Sequence, residues 1–195
     1  MKKRIIVGLS GASGVIYGIR ALQHLSRIEE VETHLIISDG AVTNIQVETE
    51  WKIDDVKALA DVVHRNNNLA ASVASGSFNT HGMIIIPCSI KTLSGVANAY
   101  ADNLLVRAAD VVLKEQRRLI LMVRETPLHR IHLGLMLRVV EAGAIMMPPT
   151  PAFYHSPRTI DDLIDQSVGK AFDLLGLEHD LFQRWGDRKS GKLYE

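Results

Sequence analysis

Short apolar runs rich in β-branched residues alternate along this chain with longer segments of helical periodicity. The apolar runs predict strands at residues 4–9, 31–37, 83–87, 119–123 and 144–147. The periodic segments predict helices at residues 17–28, 53–64, 92–100, 103–116, 131–142 and 160–175. Because the strands are almost continuously apolar, helices must cover both faces of their sheet. The order predicts a doubly wound parallel α/β sheet of Rossmann or flavodoxin type.

The 195 residues, of which 47% are hydrophobic, can bury one substantial core, and neither a linker nor an internal repeat divides them. We predict a single ligand-binding domain over residues 1–176. A polar tail follows over residues 177–195, and we expect it to pack on the ligand site or on a neighbouring subunit. The 22 basic side chains balance the 22 acidic ones, so the net charge gives no reason to expect nucleic acid or an anionic membrane as a partner.

The chain has one cysteine, Cys88, which excludes an internal disulfide and any metal site built from several thiolates. A reducing cytoplasm fits this usage. Lys2, Lys3 and Arg4 precede an apolar run, but Gly8 soon interrupts that run, which indicates a first core strand and not a signal peptide. No segment approaches the roughly 18 apolar residues of a membrane helix. We therefore expect a soluble cytoplasmic protein.

Ligands of open α/β sheets bind beyond the carboxyl ends of the strands, and the first such loop runs from Gly8 to Gly14. Its glycines allow the backbone to approach a phosphate or a ring. The dinucleotide fingerprint requires a glycine where Ser10 stands and an acidic residue after the second strand, which here leads into Ser38. The loop therefore favours FMN over NAD. Tight packing of the strand on the next helix is an alternative reason for its glycines.

The segment from Pro87 to Thr92 places hydroxyls and backbone amides just before a predicted helix. Amides and the helix dipole can bind a phosphate at such a position. Ser89 or Thr92 can also act as a plain N-cap, and the two roles are compatible.

Arg107 and Lys114 share one face of a predicted helix, with Asp110 between them at ion-pairing distance. A solvated ladder of ion pairs explains this pattern. However, Arg124 and Glu125 add a further cation and a carboxylate at the ligand-binding edge of the sheet. Cations around one carboxylate suit a phosphate leaving group that must be held and protonated.

The loop from Pro148 to Tyr154 is stiffened by prolines and carries an aromatic hydroxyl, which is unusual for a segment that only turns the chain. A packing role for this loop is the alternative. His129 and His132 lie three residues apart near a predicted helix start. Two ligands without a third make a poor metal site, so we predict no metal.

Several of these segments together resemble the UbiX/Pad family of flavin prenyltransferases in order and spacing. The matching residues are 11–14, 87–93, 102–104, 107–110, 113–115, 124–128, 131–133, 151–154 and 184–185. Each segment alone is a weak signal, but the set spans nearly the whole chain and is specific. The short segment between Trp51 and Met83 resembles the phenolic acid decarboxylase branch of the family, and not its ubiquinone branch.

The resemblance implies an FMN-binding domain over residues 1–176 and three sets of site residues. The residues implied in FMN binding are Gly11, Ala12, Ser13, Ser38, Ser89, Ile90, Lys91, Thr92, Arg107 and Arg124. Those implied at the substrate phosphate are Lys114, Glu125, Tyr154, Lys170 and Trp185. Those implied in catalysis are Ser13, Lys114, Glu125 and Glu48, a carboxylate that can come from a neighbouring subunit. The family often has arginine at the position of Lys170, and lysine cannot give a bidentate grip on phosphate.

The activity implied by the resemblance joins a dimethylallyl group from dimethylallyl phosphate to N5 and C6 of reduced FMN, without a metal. The product, prenylated FMN, would serve a UbiD-type decarboxylase of aromatic acids. The family is typically dodecameric, which implies a homo-oligomer here. Two alternatives stay open: a decarboxylase that uses FMN directly on an aromatic or peptidyl-cysteine acid, and a non-catalytic subunit that carries FMN for a decarboxylase.

Overall fold

The computed structural model describes residues 2–186, which form a parallel sheet of six strands with helices on both faces. The strands are β1 Lys3–Leu9, β2 Val31–Ile37, β3 Val62–Arg65, β4 Gly82–Cys88, β5 Arg118–Val123 and β6 Ile145–Met146. The helices are α1 Val15–Leu25, α2 Asp39–Glu48, α3 Ile53–Lys57, α4 Ile90–Ala97, α5 Leu104–Lys114, α6 Arg130–Glu141 and α7 Ile160–Leu175, with a 3₁₀ turn at Ser72–Ala74. None of the helices in this part of the chain is long and apolar enough to cross a membrane.

The strands lie in the order β3-β2-β1-β4-β5-β6, and every pair is parallel. This is the order of a Rossmann sheet, in which the connections reverse direction between β1 and β4. A crevice opens at that point, beyond the carboxyl ends of the two strands. The predicted fold class is confirmed.

Side chains alternate between two cores, one on each face of the sheet. Ile5 and Val7 point to the core that α1 and α7 cover, which includes the fully buried Phe172. Ile6 and Met83 point to the core that α4 and α5 cover. Because both faces are buried, inward and outward positions of the strands are equally apolar, and this explains the continuous runs in the sequence.

The prediction of one helix over residues 53–64 is wrong. Helix α3 ends at Lys57, and residues 62–65 form the edge strand β3, which pairs with β2. Asp61 accepts a hydrogen bond from the backbone of Thr33 at 2.8 Å, which ties the start of this strand to its neighbour. The strand is thus set by pairing with a distant segment, which outweighs local helical periodicity.

Helix α2 was absent from the predicted elements. Its N-cap is Ser38, whose hydroxyl accepts a hydrogen bond from the amide of Ala41 at 3.2 Å. Only Ala41 and Ile45 of this helix are buried, so its apolar face is too narrow to give a clear periodic signal.

The predicted tail begins directly after the C-cap of the last helix. Gly176 adopts a left-handed conformation (φ 68°) that stops α7, and residues 177–186 turn back. The carbonyl of Gly176 accepts a hydrogen bond from Lys3, so α7 ends near the amino edge of the sheet. Residues 187–195 of the predicted tail lie outside the described residues.

Candidate active site

A cavity of about 1000 Å³ opens at the carboxyl edge of the sheet, where the loops after the first five strands, β1 to β5, meet the start of α5. Its volume lies at the upper end of the range usual for small-molecule sites. The sequence-predicted residues that line it are Gly11, Ala12, Ser13, Ser38, Ser89, Ile90, Lys91, Thr92, Arg124 and Glu125. Nine of the ten residues predicted to bind FMN therefore surround one space, and Glu125 lies with them.

The loops after β1 and β2 touch backbone to backbone. A Cβ atom on Gly11 would lie 3.0 Å from the Cα of Gly40, and both glycines line the cavity. A side chain at either position would push the two loops apart. The glycines of the first loop therefore shape the cavity, as a close approach of backbone to a ring or phosphate requires.

Ser10 joins the ends of β1 and β4. Its hydroxyl donates to the carbonyl of Pro87 at 3.0 Å and accepts from the amide of Ser89 at 2.7 Å, and the side chain is fully buried. In the sequence, Ser10 stood out only as a departure from the dinucleotide fingerprint. The structure gives it a role, since it fixes the two loops on either side of the crevice.

Ser89 is the N-cap of α4, as the alternative interpretation predicted. Its hydroxyl accepts from the amide of Thr92 at 3.3 Å and donates to the hydroxyl of Thr92 at 3.2 Å. By helix geometry, the amides of Ile90 and Lys91 in the first turn have no acceptor within the helix itself. The capping role and an anion at this helix start are therefore compatible.

Asn66 lines the cavity but was not predicted as a site residue. Its side-chain oxygen accepts from the amide of Leu105 at 3.0 Å, and its carbonyl accepts from the amide of Leu104 at 2.7 Å. The start of α5 is thus capped from the end of β3. Asn66 was missed because β3 was predicted as helix. The run of three asparagines at positions 66–68 was the available signal of a turn.

Arg124 and Glu125 follow β5 and bring opposite charges to the cavity wall. Burial raises the pKa of the Tyr17 phenol, and the positive charge of nearby Arg124 partly offsets this rise. The carboxylate of Glu125 accepts a hydrogen bond from the amide of Thr126 at 3.0 Å. Both side chains are exposed at the mouth of the site and are accessible to a ligand.

Glu48 lies beside the first loop without lining the cavity. One oxygen of its carboxylate accepts from the amides of Gly14 and Val15, at 2.8 and 3.2 Å. These amides form the start of α1, so the carboxylate neutralises the positive end of that helix next to Ser13. Within one chain, two backbone amides at the start of α1 therefore already bind a protein carboxylate.

Arg107 and Lys114 do not line the cavity in this chain. Arg107 binds Asp110 at 2.7 Å and the carbonyl of Ala74 at 3.3 Å. The contact with Asp110 is the ion pair that the alternative interpretation of this helix face predicted. Lys114 is hydrogen-bonded to Glu115, and this bond is the main reason why the pKa of the Glu115 carboxyl lies below its usual value. As the last residue of α5, Lys114 lies about 12 Å along the helix axis from the cavity-lining start of α5.

The remaining predicted phosphate residues also lie outside the cavity. Tyr154 and Trp185 contact each other, with ring centroids 5.4 Å apart and an interplanar angle of 81°. Lys170 is exposed on α7. In one chain, the structure therefore brings Glu125 to the cavity and leaves Lys114, Tyr154, Lys170 and Trp185 apart from it.

His129, His132 and Cys88 do not line the cavity. His129 is the N-cap of α6, where it accepts from the amide of Ile131, and its ring packs on that of His132 with centroids 3.5 Å apart. Among residues 2–186, no group of three or more His, Cys, Asp or Glu side chains is placed to hold a metal ion. Cys88 is fully buried, and burial raises the pKa of its thiol far above the usual value, so it is no nucleophile.

A Rossmann-like sheet with a glycine-lined cavity at the point where the connections reverse direction, next to a helix start, defines a class of α/β proteins that bind nucleotides or flavins. The Flavoprotein family model matches residues 1–171. The flavin prenyltransferase UbiX of Thauera aromatica is 58% identical over 190 residues, which cover 97% of each chain. This chain therefore belongs to the Flavoprotein family and, within it, to the UbiX flavin prenyltransferases, as the sequence predicted.

Two solved structures agree with this assignment. AnUbiX in complex with FMN and dimethylallyl pyrophosphate is 50% identical, has a TM-score of 0.93, and is matched over 95% of this chain and 98% of its own. A dodecameric FMN-dependent UbiX-like decarboxylase from Escherichia coli O157:H7 is also 50% identical, with a TM-score of 0.91 over 93% of this chain and 98% of its own.

Proposed function

We propose that this protein is a flavin prenyltransferase that joins a dimethylallyl group from dimethylallyl phosphate to N5 and C6 of reduced FMN. The prenylated FMN then serves a UbiD-type decarboxylase of aromatic acids. The observation that carries the proposal is the cavity at the switch point, which gathers nine predicted flavin residues and Glu125 in a chain of this family. The related AnUbiX was solved with both FMN and a dimethylallyl donor.

The residues of the cavity fit FMN. The contact between Gly11 and Gly40 leaves room for a planar ring close to the backbone. The amides of Ile90 and Lys91 and the cation of Arg124 offer donors for a phosphate. When bound, reduced FMN supplies the nucleophilic ring atoms, and the protein supplies orientation and charge. We assign Ser13, next to the start of α1, to the organisation of groups around the reacting ring.

The substrate phosphate requires groups that one chain keeps apart. We assign Lys114, Tyr154, Lys170 and Trp185 to holding the phosphate, and Glu125 to passing it a proton as it leaves. We propose that neighbouring subunits bring Lys114 and Arg107 to the site. Glu48 is already placed beside Ser13 by its own chain, and we assign it to the same site.

The surface of α6 supports a homo-oligomer. Four of its apolar side chains are largely exposed in the single chain, namely Ile131 (70%), Leu133 (53%), Leu137 (59%) and Val140 (47%). Leu133, Leu137 and Val140 lie on one side of the helix, and an exposed apolar patch of this kind is typical of a surface covered by another subunit. The Escherichia coli relative is dodecameric, and we propose the same assembly here.

The domain boundaries and the location of the protein are also proposals. The stop of α7 at Gly176 supports one FMN-binding domain over residues 1–176, followed by a tail. The single, buried Cys88 supports a cytoplasmic protein, since nothing in the sequence provides for a disulfide.

The test is anaerobic incubation of the protein with reduced FMN and a dimethylallyl donor, followed by mass spectrometry of the released flavin. We expect a flavin heavier by one C5 prenyl unit with dimethylallyl phosphate, and a parallel reaction with the pyrophosphate tests donor choice. Unmodified flavin in both reactions, with FMN bound, would overturn the proposal. It would favour direct decarboxylation or an FMN carrier, and assays with hydroxybenzoic acids would separate those two.

A further inference from the structure

Helix α7 carries two carboxylates that have the same kinds of partner. Asp165 accepts two hydrogen bonds from Arg20, at 2.6 and 2.8 Å, and contacts His24 at 3.0 Å. Asp173 accepts two from Arg184, at 2.7 and 2.9 Å, and contacts His179 at 3.0 Å. The first cluster joins α7 to α1 inside the domain. The second joins α7 to residues 177–186, the described part of the predicted tail, and only this part is meant by the tail below.

The contacts of Asp173 are well defined. The Nδ1 atom of His179 accepts from the amide of Leu181 at 3.2 Å, so the ring proton lies on Nε2 and is donated to Asp173. The hydrogen bonds from Arg184 are the main reason why the pKa of the Asp173 carboxyl lies below its usual value. The carboxylate is therefore charged and engages both of its oxygens.

The tail also packs into a notch on α7 at Gly169. A Cβ atom there would lie 2.7 Å from the ring of His179 and 2.8 Å from that of Phe182. The His179 ring packs edge-on against Phe172, with centroids 6.1 Å apart. The notch and the carboxylate together give the tail one defined position, next to Lys170 in the helix.

This position determines where the end of the tail lies. Trp185 directly follows Arg184, and its ring meets the ring of Tyr154 from the proline-rich loop. Trp185 is 64% exposed, so its indole is not held by burial in the core, and the attachment of Arg184 to α7 lies one residue away.

We infer that Asp173 is a positioning residue of the substrate-phosphate side of the site: through Arg184 and His179 it holds the tail so that Trp185 stays against Tyr154. The inference rests on the proposed function, because only there are Tyr154 and Trp185 assigned to the substrate. Loss of the carboxylate releases the end of the tail. It weakens binding of dimethylallyl phosphate and leaves FMN binding intact, since the flavin cavity is built from other elements.

The matched test compares Asp173→Asn with Asp165→Asn in the full-length protein. Asp165 and Asp173 both lie on α7, and each carboxylate binds one arginine and one histidine. In both variants, the new amide group faces the hydrogen-bond donors of that arginine and histidine. In a Trp51→Phe background, Trp185 is the only tryptophan that emits. Asp173→Asn shifts its emission to longer wavelength and makes it more accessible to acrylamide. Asp165→Asn leaves both properties as in the parent, and Asp173→Glu restores part of the parent spectrum.

Kinetics supply the second readout. Asp173→Asn raises KM for dimethylallyl phosphate about tenfold and changes kcat less than about threefold, as expected when ground-state and transition-state binding are lost equally. The Kd for FMN stays at the parent value. Unchanged Trp185 emission in Asp173→Asn, or the same rise in KM in Asp165→Asn, would overturn the inference. If the parent does not prenylate FMN, the proposed function fails, and the emission comparison still decides whether Asp173 positions Trp185.

Discussion

The flavin side and the phosphate side of the candidate site are built in different ways. On the flavin side, nine of the ten predicted residues line one cavity, because loops after five strands meet at one edge of the sheet. On the phosphate side, Glu125 alone of the five predicted residues lines the cavity. Lys114 lies at the far end of α5, and Tyr154 and Trp185 pack on each other.

This difference follows from how each side is held in place. The flavin residues lie on short loops whose positions are set by strand order and by internal contacts, such as Ser10 with Ser89 and Gly11 with Gly40. The predicted phosphate residues lie on two helices, two loops and the tail, which a single sheet does not bring together. Folding of one chain therefore gathers most of the predicted flavin residues, whereas most of the predicted phosphate residues stay apart within that chain.

The largest effect is expected from Glu125→Gln, which removes the proton donor and keeps the shape of the side chain. Loss of general acid catalysis is worth roughly 10²–10⁴-fold, so we expect kcat to fall by at least about a hundredfold. The Kd for FMN should stay within about threefold of the parent, since other groups hold the flavin. Glu29→Gln, an exposed carboxylate in the turn before β2, is the control. Normal activation of a partner decarboxylase by Glu125→Gln would favour the FMN carrier.

Mixed subunits test whether the phosphate side is shared between chains. Lys114→Ala and Glu125→Gln should each be inactive as a pure protein. If Lys114 serves a neighbouring chain, random co-assembly of equal amounts restores about a quarter of the sites, because half of the chains keep Glu125 and half of their neighbours keep Lys114. Remixing each variant with itself is the control. No recovery in verified mixed oligomers would show that both residues act in the same chain.

On the flavin side, Gly11→Ala should weaken FMN binding by about tenfold. The added Cβ meets backbone atoms of Gly40 at 3.0 Å, so the two loops must move apart, at a cost of about 1–3 kcal/mol. At saturating FMN, the KM for dimethylallyl phosphate should stay near the parent value. Gly134→Ala on α6, where a Cβ meets no atom within 4 Å, is the control. Titration of flavin fluorescence measures the binding, and equal affinities for the two variants would contradict the close-contact argument.

The structure brings together more of the residues predicted for the flavin side than of those predicted for the phosphate side, for the same physical reason. Apolar runs and glycine spacing report local structure and strand order, so residues such as Ser13 and Ser89 were correctly placed at the carboxyl edge. Asn66 was missed because β3 depends on pairing with β2, whereas the local periodicity predicts a helix up to residue 64. The spacing of Arg107 and Lys114 suggested only a group of cations, and the specific roles of Lys114 and Tyr154 came from the family resemblance. Local patterns do not report which distant segments, or which other chains, meet at a site.

The smallest effect is expected from Asn66→Ala, which tests how much the flavin side depends on a distant strand. The change removes the side-chain acceptor for the Leu105 amide at the start of α5, and loss of such a cap costs about 1 kcal/mol of unfolding free energy. Because α5 borders the cavity, the Kd for FMN should rise two- to threefold, about what a few tenths of a kcal/mol predicts. Asn67→Ala, at the next and more exposed position, should change neither quantity. Chemical denaturation and FMN titration measure both. A loss of stability without any change in Kd would mean that the cap supports the fold alone, and that the flavin side is held by the loops after β1, β2, β4 and β5.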